Sequence, residues 1–276
     1  MAKHTPVVAA IPNYNMADNL RRLLPQILAQ GYDKVFVLDD VSTDHSSEVV
    51  SEFGDDVKFV RNRQNGGAGA NRNQIIDHVD DDAIIHFVDA DMELRTAEIP
   101  TVAREVCARY ADQGVGMIGG LVSRLNGIQE PHNYGAVFSL WGGLGSGIPL
   151  LIYSIREKQR LASAVQRLTA PMTKGWPKLL EQPAAEPAYW VHEGNMLVKS
   201  KVFRAVGGYD PNLRSHEVQD LAIRLEKIGV KRQFDPSIKV VHYHIDVRGK
   251  NRSQWSRDAA QYLVRKHGLW RWLTER

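Results

Sequence analysis

Short apolar runs alternate with segments of helical periodicity in the first half of the chain, and this alternation most constrains the fold. The apolar runs cover residues 7–11, 35–38, 57–60 and 83–88, and a segment of helical periodicity follows each of them. Uninterrupted apolar strands joined by helices are typical of a parallel sheet with helices on both faces. The 276 residues suffice for one large core. We therefore predict an α/β domain with a mostly parallel sheet.

The fourth apolar run ends in two carboxylates, Asp89 and Asp91. A buried strand gains no stability from charge at its tip, whereas a divalent cation needs hard oxygen ligands. Two carboxylates at this spacing suit Mg²⁺ or Mn²⁺, which keep coordination positions open for substrate phosphates. Aspartate also closes many strands without binding anything. The pair therefore predicts a metal site only if other segments agree with it.

Polar side chains follow all four predicted strands. After the first three strands come Pro12-Asn13-Tyr14-Asn15, then Asp39 to Asp44, then the glycine-rich run from Asn65 to Asn73. Ligands of open parallel sheets bind beyond the carboxyl ends of the strands. Each group alone could be a turn or a helix cap. Four such groups on one sheet edge instead predict a ligand site.

These four groups and a later glycine-rich turn, taken in their order along the chain, resemble glycosyltransferase family 2 on the GT-A fold. They are Ala10 to Asn15, Val37-Leu38-Asp39-Asp40-Val41-Ser42-Thr43-Asp44, Asn65 to Asn73, Phe87-Val88-Asp89-Ala90-Asp91 and Gly207-Gly208-Tyr209-Asp210. The resemblance extends from about Val7 to Leu225, with the middle unmatched. Val41 stands where the family has glycine, and Asn71 stands where it has alanine.

The resemblance implies a nucleoside-diphosphate sugar donor, and we expect a UDP-sugar. Pro12 and Tyr14 would contact the nucleotide, with Tyr14 stacked on the base, and Asp39 or Asp40 would bind the edge of the base. Arg72 would contact the diphosphate, a role that suits a planar cationic fork. Asp89 would lie at the same donor site.

The resemblance also implies a metal-dependent reaction that inverts the anomeric carbon. Asp91, helped by Asp89, would bind Mn²⁺ or Mg²⁺, which offsets the charge of the departing diphosphate. His242 and His244 follow the last predicted strand, and some relatives use a histidine there as a further metal ligand. A histidine at a strand end is otherwise structural or faces solvent.

An inverting reaction needs a carboxylate to take the acceptor proton, and here the chain departs from the family. The family places Glu-Asp at the start of a late helix, whereas this chain has Glu217-Val218. Val218 belongs to an apolar helical face, while Glu217 and Asp220 share another face. We prefer Glu217 as the base. Asp220 could instead pair with Arg224 four residues on, and Glu217 could simply complement the helix dipole.

The family lines its acceptor side where this chain has Trp190 and Glu193. Trp190 would suit a sugar face, although it could also simply be packed. We expect residues 1-122 to form the nucleotide-sugar-binding half of the domain. We expect residues 123-276 to form the acceptor-binding and catalytic half, a C-terminal lobe that ends in a helix. The acceptor could be a glycan, a lipid-linked molecule or a protein.

Composition sets the remaining limits. A formal charge of +3 and a pI of about 8.9 permit phosphorylated partners without indicating nucleic-acid binding. The single cysteine, Cys107, excludes an internal disulfide framework and favours a reducing, cytoplasmic setting. Aromatic and basic residues mix in residues 255–273, which predicts either a helix packed on the lobe or a peripheral membrane contact.

Two alternative functions compete with sugar transfer. Val218 at the expected base position would suit a non-catalytic module that only binds a nucleotide sugar. The glycine-rich run before Arg72 would suit a dinucleotide-dependent oxidoreductase, because it follows a strand and opens a helix. Against the oxidoreductase, the run follows the third strand instead of the first, and Arg72 occupies a position that needs a small residue.

Overall fold

The computed structural model describes residues 4–244 and 252–275. The strands are β1 (Val7–Asn13), β2 (Lys34–Asp39), β3 (Lys58–Arg61), β4 (Ile84–Val88), β5 (Met92–Leu94), β6 (Val115–Arg124), β7 (Tyr134–Gly135), β8 (Glu186–Pro187), β9 (Trp190–Val191), β10 (Asn195–Lys199) and β11 (Lys231–His242). The helices are α1 (Ala17–Leu28), α2 (Ser46–Ser51), α3 (Ala68–Asn73), α4 (Ile99–Arg109), α5 (Leu140–Gly145), α6 (Ile148–Ile155), α7 (Gln159–Thr169), α8 (Ser200–Ala205), α9 (Glu217–Lys227), α10 (Arg252–His267) and α11 (Leu269–Thr274).

In the described part of the chain, nine strands form one sheet in the order β3-β2-β1-β4-β10-β6-β11-β5, with β8 beside β11. The four predicted strands, β1 to β4, are all parallel to one another. Every residue of β1 and β4 is buried, as expected for strands covered on both faces. The predicted α/β class, a sheet flanked by helices, is confirmed.

The second half of the sheet is mixed because β10 enters antiparallel between β4 and β6. Asn195 pairs with Val88, so the residues just before β10 lie at the same edge as the end of β4. Further along the sheet, His242 pairs with Arg124 of β6 and with Met92 of β5. This register brings the end of β11 next to the Asp89–Asp91 turn.

Helix α1 shows how the sheet is covered. Its apolar residues recur at helical spacing, and Leu20, Leu23 and Leu24 are fully buried against a cluster that includes Ile11 of β1. Burying each such side chain contributes about 1.5–3 kcal/mol to folding. Pro25 lies on the exposed side, and the helix continues past it to Leu28.

Residues 133–155 form ordered elements although they are rich in glycine. The structure contains β7 and the short helices α5 and α6 there, and α7 follows them. Some of the glycines serve packing, since a Cβ at Gly142 would lie 2.1 Å from the Val137 carbonyl oxygen. The proline-rich stretch 170–185 has no regular element.

The large sheet is continuous across the predicted division at residue 122. That residue lies inside β6, and β10 and β11 from the second half pair with β4, β5 and β6. The division between a donor half and an acceptor half therefore stays a prediction about function. No helix in the described ranges has the length and apolar character needed to cross a membrane.

Candidate active site

The turn after β2 holds two buried aspartates with separate roles. Asp39 accepts hydrogen bonds from Asn13 Nδ2 at 2.8 Å and from the Ser42 amide at 3.0 Å. Asp40 accepts from the Gly66 and Gly67 amides, each at 2.9 Å. Asp40 thus fixes the glycine-rich loop. Because these amides already have a partner, the loop is a poor pyrophosphate cradle, which weighs against the oxidoreductase alternative.

Val41 adopts a backbone conformation that its residue type rarely takes. Its φ is +65°, in the left-handed region where the resembling family has glycine. Asn15 (φ +53°) and His216 (φ +60°), which flank β1 and α9, share this feature. Backbone strain of this kind clusters at functional sites and persists only where surrounding contacts impose it. The turn around Val41 is therefore held by the bonds that Asp39 and Asp40 make.

At the end of β1, Pro12 is buried and Tyr14 is 37% exposed. Asn13 also donates to Ser42 Oγ, which ties β1 to the turn after β2. Tyr14 thus follows a strand end that is tied to the Asp39–Asp40 turn, and its side chain is partly exposed. This arrangement suits the predicted stacking on a nucleotide base.

Arg72 is the central cation of the site. Its side chain is buried, its Nη2 donates to Asp89 Oδ1 at 2.5 Å, and its Nη1 lies 3.7 Å from Glu193 Oε1. Burial alone would lower the pKa of Arg72, but Asp89 and Glu193 outweigh it and raise that pKa. The buried Nε has no hydrogen-bond partner among the described groups. A planar fork with a spare donor is suited to an anionic ligand.

Two further carboxylates surround Arg72. Burial, with Glu217 and Asp89 nearby, raises the pKa of Glu193 to about 7 even though Arg72 opposes this. Glu217 lies at the start of α9, and a Cβ added at Gly69 would be 3.0 Å from its Cγ. Glu217 and Glu193 therefore lie at the Arg72 cluster, and their roles on the reacting side stay predictions.

The metal-side residues converge at the end of β11. His242 Nε2 lies 3.0 Å from Asp91 Oδ2, and its Nδ1 lies 3.6 Å from Glu130 Oε1. His244 pairs with the same Glu130 oxygen, and its ring stacks on that of His242 at 4.1 Å. The ligand atoms of Glu130, His242 and His244 all lie within 4.8 Å of one another. Of the four predicted ligands, Asp91, His242 and His244 thus come together, whereas Asp89 is engaged by Arg72.

Glu130 is the site residue that the sequence analysis missed. It follows β6 just as Asp91 follows β4, so the same search for carboxylates after strands would have found it. Burial would raise the pKa of Glu130, but His242 and Arg124 lower it to about 2. Burial would lower the pKa of His242, but Asp91 and Glu130 raise it to about 9.

The donor set fits a divalent cation. Among the described residues His242 Nδ1 is buried without a hydrogen-bond partner, and it faces Glu130 Oε1, which pairs with His244. Buried polar atoms normally have partners, so this imidazole nitrogen beside a carboxylate is suited to coordinate an ion. Carboxylate and imidazole together suit Mn²⁺ better than Mg²⁺, which prefers oxygen ligands alone.

Asp220 is engaged in ion pairs away from this cluster. It is fully buried, with Arg224 Nε at 2.7 Å, His267 Nε2 at 2.7 Å and Lys266 Nζ at 2.8 Å. Burial would raise the pKa of Asp220, but His267, Lys266 and Arg224 lower it. Asp220 thus joins α9 to α10, and the alternative of an ion pair with Arg224 is present. Val218 is buried with Leu221, as predicted.

Trp190 is packed inside the protein. Its exposed fraction is 7%, its ring meets Trp176 edge-on at 5.7 Å, and a Cβ at Gly135 would lie 2.2 Å from it. Because Trp176 and the backbone of Gly135 cover the ring, little of it is open to a sugar. An acceptor role for Trp190 stays a prediction that the packing does not favour.

Comparison with known families supports the sequence resemblance. The family model described as glycosyl transferase family 2 matches residues 8–137. The curated protein glycosyltransferase GlyA of Streptococcus pneumoniae serotype 4 is 29% identical over 115 residues, which make up 40% of this chain and 16% of that protein. The chain therefore spans about one sixth of that relative. Both matches agree with the predicted family over the first half of the chain.

Solved structures support the fold. The mannosyltransferase PcManGT from Pyrobaculum calidifontis, in complex with GDP-Man and Mn²⁺, aligns with a TM-score of 0.58 at 19% identity, over 95% of this chain and 63% of that one. GalNAc-T7 in complex with UDP, GalNAc and Mn²⁺ aligns with a TM-score of 0.55 at 14% identity, over 88% of this chain and 44% of that one. S. aureus TarS 1-349 in complex with UDP-GlcNAc aligns with a TM-score of 0.52 at 14% identity, over 87% of this chain and 60% of that one. The predicted GT-A fold is confirmed.

Replacing Val41 with glycine should raise the free energy of unfolding. Glycine relieves the left-handed strain, which is worth about 1–2 kcal/mol. It also increases the conformational entropy of the unfolded chain, which offsets part of this gain. We expect a net gain of about 0.5–1 kcal/mol in urea denaturation. Val41→Ala is the matched control, because it removes the branched side chain but keeps the left-handed backbone penalty. A loss of stability in Val41→Gly equal to that in Val41→Ala would contradict this account.

Replacing Asp220 with asparagine should destabilise the protein by about 3 kcal/mol, because three basic groups lose their buried counter-ion. Since the folded-state pKa of Asp220 is lowered, its stabilisation is present above its unfolded pKa of about 4 and is lost as the pH falls. Urea denaturation from pH 7 to pH 3 measures both effects. Glu217→Gln, in the same helix, is the control and should cost far less, because it leaves the three ion pairs of Asp220 intact. Equal losses for the two variants would argue against the anchoring role.

Proposed function

We propose that this chain, which carries a glycosyl transferase family 2 segment over residues 8–137, transfers a sugar from a nucleoside-diphosphate sugar to an acceptor hydroxyl. We propose further that the reaction inverts the anomeric carbon and requires a divalent metal. The observation that most supports this is the convergence of two clusters at one sheet edge. A cationic cluster is centred on Arg72, and a carboxylate–imidazole cluster is centred on His242.

On the donor side, Arg72 would bind the diphosphate with its fork. The nucleoside would lie between Tyr14 and the turn that Asp39 and Asp40 shape, over buried Pro12. A UDP-sugar is the donor that we propose. The solved relatives hold GDP-Man in one case and UDP-GlcNAc in another, so the assay must compare both nucleotides.

On the metal side, Asp91, Glu130 and His242 would hold the ion, with His244 beside Glu130. Bound there, Mn²⁺ would supply the positive charge that offsets the departing diphosphate. Asp89 would act mainly through Arg72, since its Oδ1 is already bonded to that guanidinium. The position of Asp89 also explains Gly194, where a Cβ would lie 2.7 Å from Asp89 Oδ2.

The first test removes the metal ligands. Asp91→Ala and Glu130→Gln should each weaken Mn²⁺ binding, measured by electron paramagnetic resonance titration, by about 10- to 100-fold. Transfer from UDP- or GDP-sugars should fall in parallel. Glu105→Gln, on the exposed side of α4, is the control and should change neither quantity. A well-folded Asp91→Ala variant that transfers sugar normally in EDTA would refute metal dependence.

Glu217 is the base that we propose. It lies at the Arg72 cluster, whereas three ion pairs hold Asp220. Glu193 lies across Arg72 and would face the acceptor side. The buried Val218 at the family's usual base position keeps a second candidate function in view, namely a module that binds a nucleotide sugar without catalysis.

Glu217→Gln preserves size and polarity but cannot accept the acceptor proton. We expect turnover to fall by about 100-fold or more, with donor and Mn²⁺ binding nearly unchanged. Asp220→Asn should reduce turnover less and act mainly through stability. The measurement is steady-state transfer together with donor titration for both variants and for Glu193→Gln.

A larger turnover loss in Asp220→Asn than in Glu217→Gln would move the base to Asp220. If donor binds normally and none of the three carboxylate variants slows turnover, the binding-module function is favoured instead.

A further inference from the structure

Helices α5, α6 and α7 expose many apolar side chains, and the proposed donor chemistry gives these side chains no role. Met172, just after α7, is exposed as well. We call the set the apolar helix surface; its members are Trp141, Leu144, Leu150, Leu151, Leu161, Leu168 and Met172. Leu168 is 82% exposed and Leu161 is 49% exposed. Exposed leucines in such number on consecutive helices mark an interaction surface and not ordinary scatter.

The periodicity of α7 supports this interpretation. Leu161, Val165 and Leu168 recur at helical spacing and are exposed or half-buried, while Ala162 on the other side is buried. On α6, Leu150 and Leu151 point outward while Ile152 is buried. Both helices thus have one inner and one outer apolar side, and they pack against each other. An amphipathic helix of this kind suits an interface between water and an apolar phase.

Charge is distributed unevenly around the apolar helix surface. Residues 140–180 contain six basic residues and one acidic residue, Glu157, a formal +5. The whole chain carries only +3, so the remainder of the protein is net negative. The basic residues are Arg156, Lys158, Arg160, Arg167, Lys174 and Lys178. A positive segment of this kind attracts an anionic surface and would repel a second copy of itself.

The segment is also fixed beside the candidate metal site. Gln129 Nε2 donates to the Lys178 carbonyl at 3.2 Å, and His132 Nε2 lies 2.8 Å from the Ser146 carbonyl oxygen. These two residues flank Glu130 in the sequence. At the other end, α11 packs on α5 and leaves Trp270 78% exposed. The apolar helix surface therefore has a defined position relative to the site.

We propose that the apolar helix surface docks on an anionic lipid bilayer, with its leucines in the interfacial region and its basic residues against the headgroups. α5, α6 and α7 have six, eight and eleven residues, so each is too short to span and can only lie on the membrane. Burial of the leucines and attraction of the basic residues to anionic headgroups both favour this docking. This docking does not depend on the transfer reaction, so either can fail without the other.

The test is co-sedimentation of the full chain with vesicles. We expect binding to vesicles of equal parts phosphatidylcholine and phosphatidylglycerol, weaker binding at high salt, and little binding to phosphatidylcholine alone. Leu161→Ser with Leu168→Ser should weaken binding by about tenfold or more, as should Lys158→Glu with Arg160→Glu. Because all four side chains are exposed, the variants should keep the wild-type circular dichroism spectrum.

Matched controls lie elsewhere on the surface. Ile228→Ser removes an apolar side chain that is 50% exposed, and Lys201→Glu with Lys231→Glu makes the same change in net charge. Both controls should bind vesicles like the wild type. The proposal is overturned if the wild type ignores anionic vesicles, or if the controls lose as much binding as the test variants. It is also overturned if sedimentation velocity shows a dimer that the leucine variant dissociates while vesicle binding is unchanged.

Discussion

The buried guanidinium of Arg72 is the interaction on which the site depends. A cation can be buried only if opposite charges compensate for its lost hydration. Here Asp89 from the end of β4 and Glu193 from the turn before β10 supply that compensation. Arg72 itself comes from α3, so one ion cluster joins three segments that are distant in sequence. The antiparallel insertion of β10 makes this possible, because it places Glu193 at the same edge as Asp89.

The carboxylate–imidazole cluster has the opposite electrostatic character. Around Arg72 a cation is held by acids, whereas Asp91 and Glu130 concentrate negative charge around His242. In the proposed function, the guanidinium would bind a diphosphate and the pair of carboxylates would bind a cation. A nucleoside diphosphate with its metal carries both charges, which is why the two clusters together are more informative than either alone. In the proposed function, the strained turn at Val41 would lie on the nucleotide side of the site.

A second ion cluster, centred on Asp220, has a structural role. It joins α9, which carries Glu217, to α10 through Lys266 and His267. The C-terminal helix therefore holds the helix that presents the proposed base. Its aromatic and basic residues had suggested either packing or membrane contact, and the ion pairs favour packing for α10. The exposed apolar residues lie mainly on α5, α6 and α7 instead.

The sequence by itself determined the first half of the molecule, since uninterrupted apolar strands and polar strand ends depend on local pattern alone. Asp39, Asp40, Arg72, Asp89 and Asp91 could be selected as site residues before any fold was known. Only the tertiary structure decided which groups meet. Glu130 joins His242 because β6 and β11 are parallel neighbours, and no local pattern encodes that pairing. Trp190 and Asp220 were ambiguous in sequence, and packing against Trp176 and ion pairs from α10 now define their surroundings. Burial and charge pairing are properties of the assembled chain, so the sequence could propose these contacts but could not choose among them.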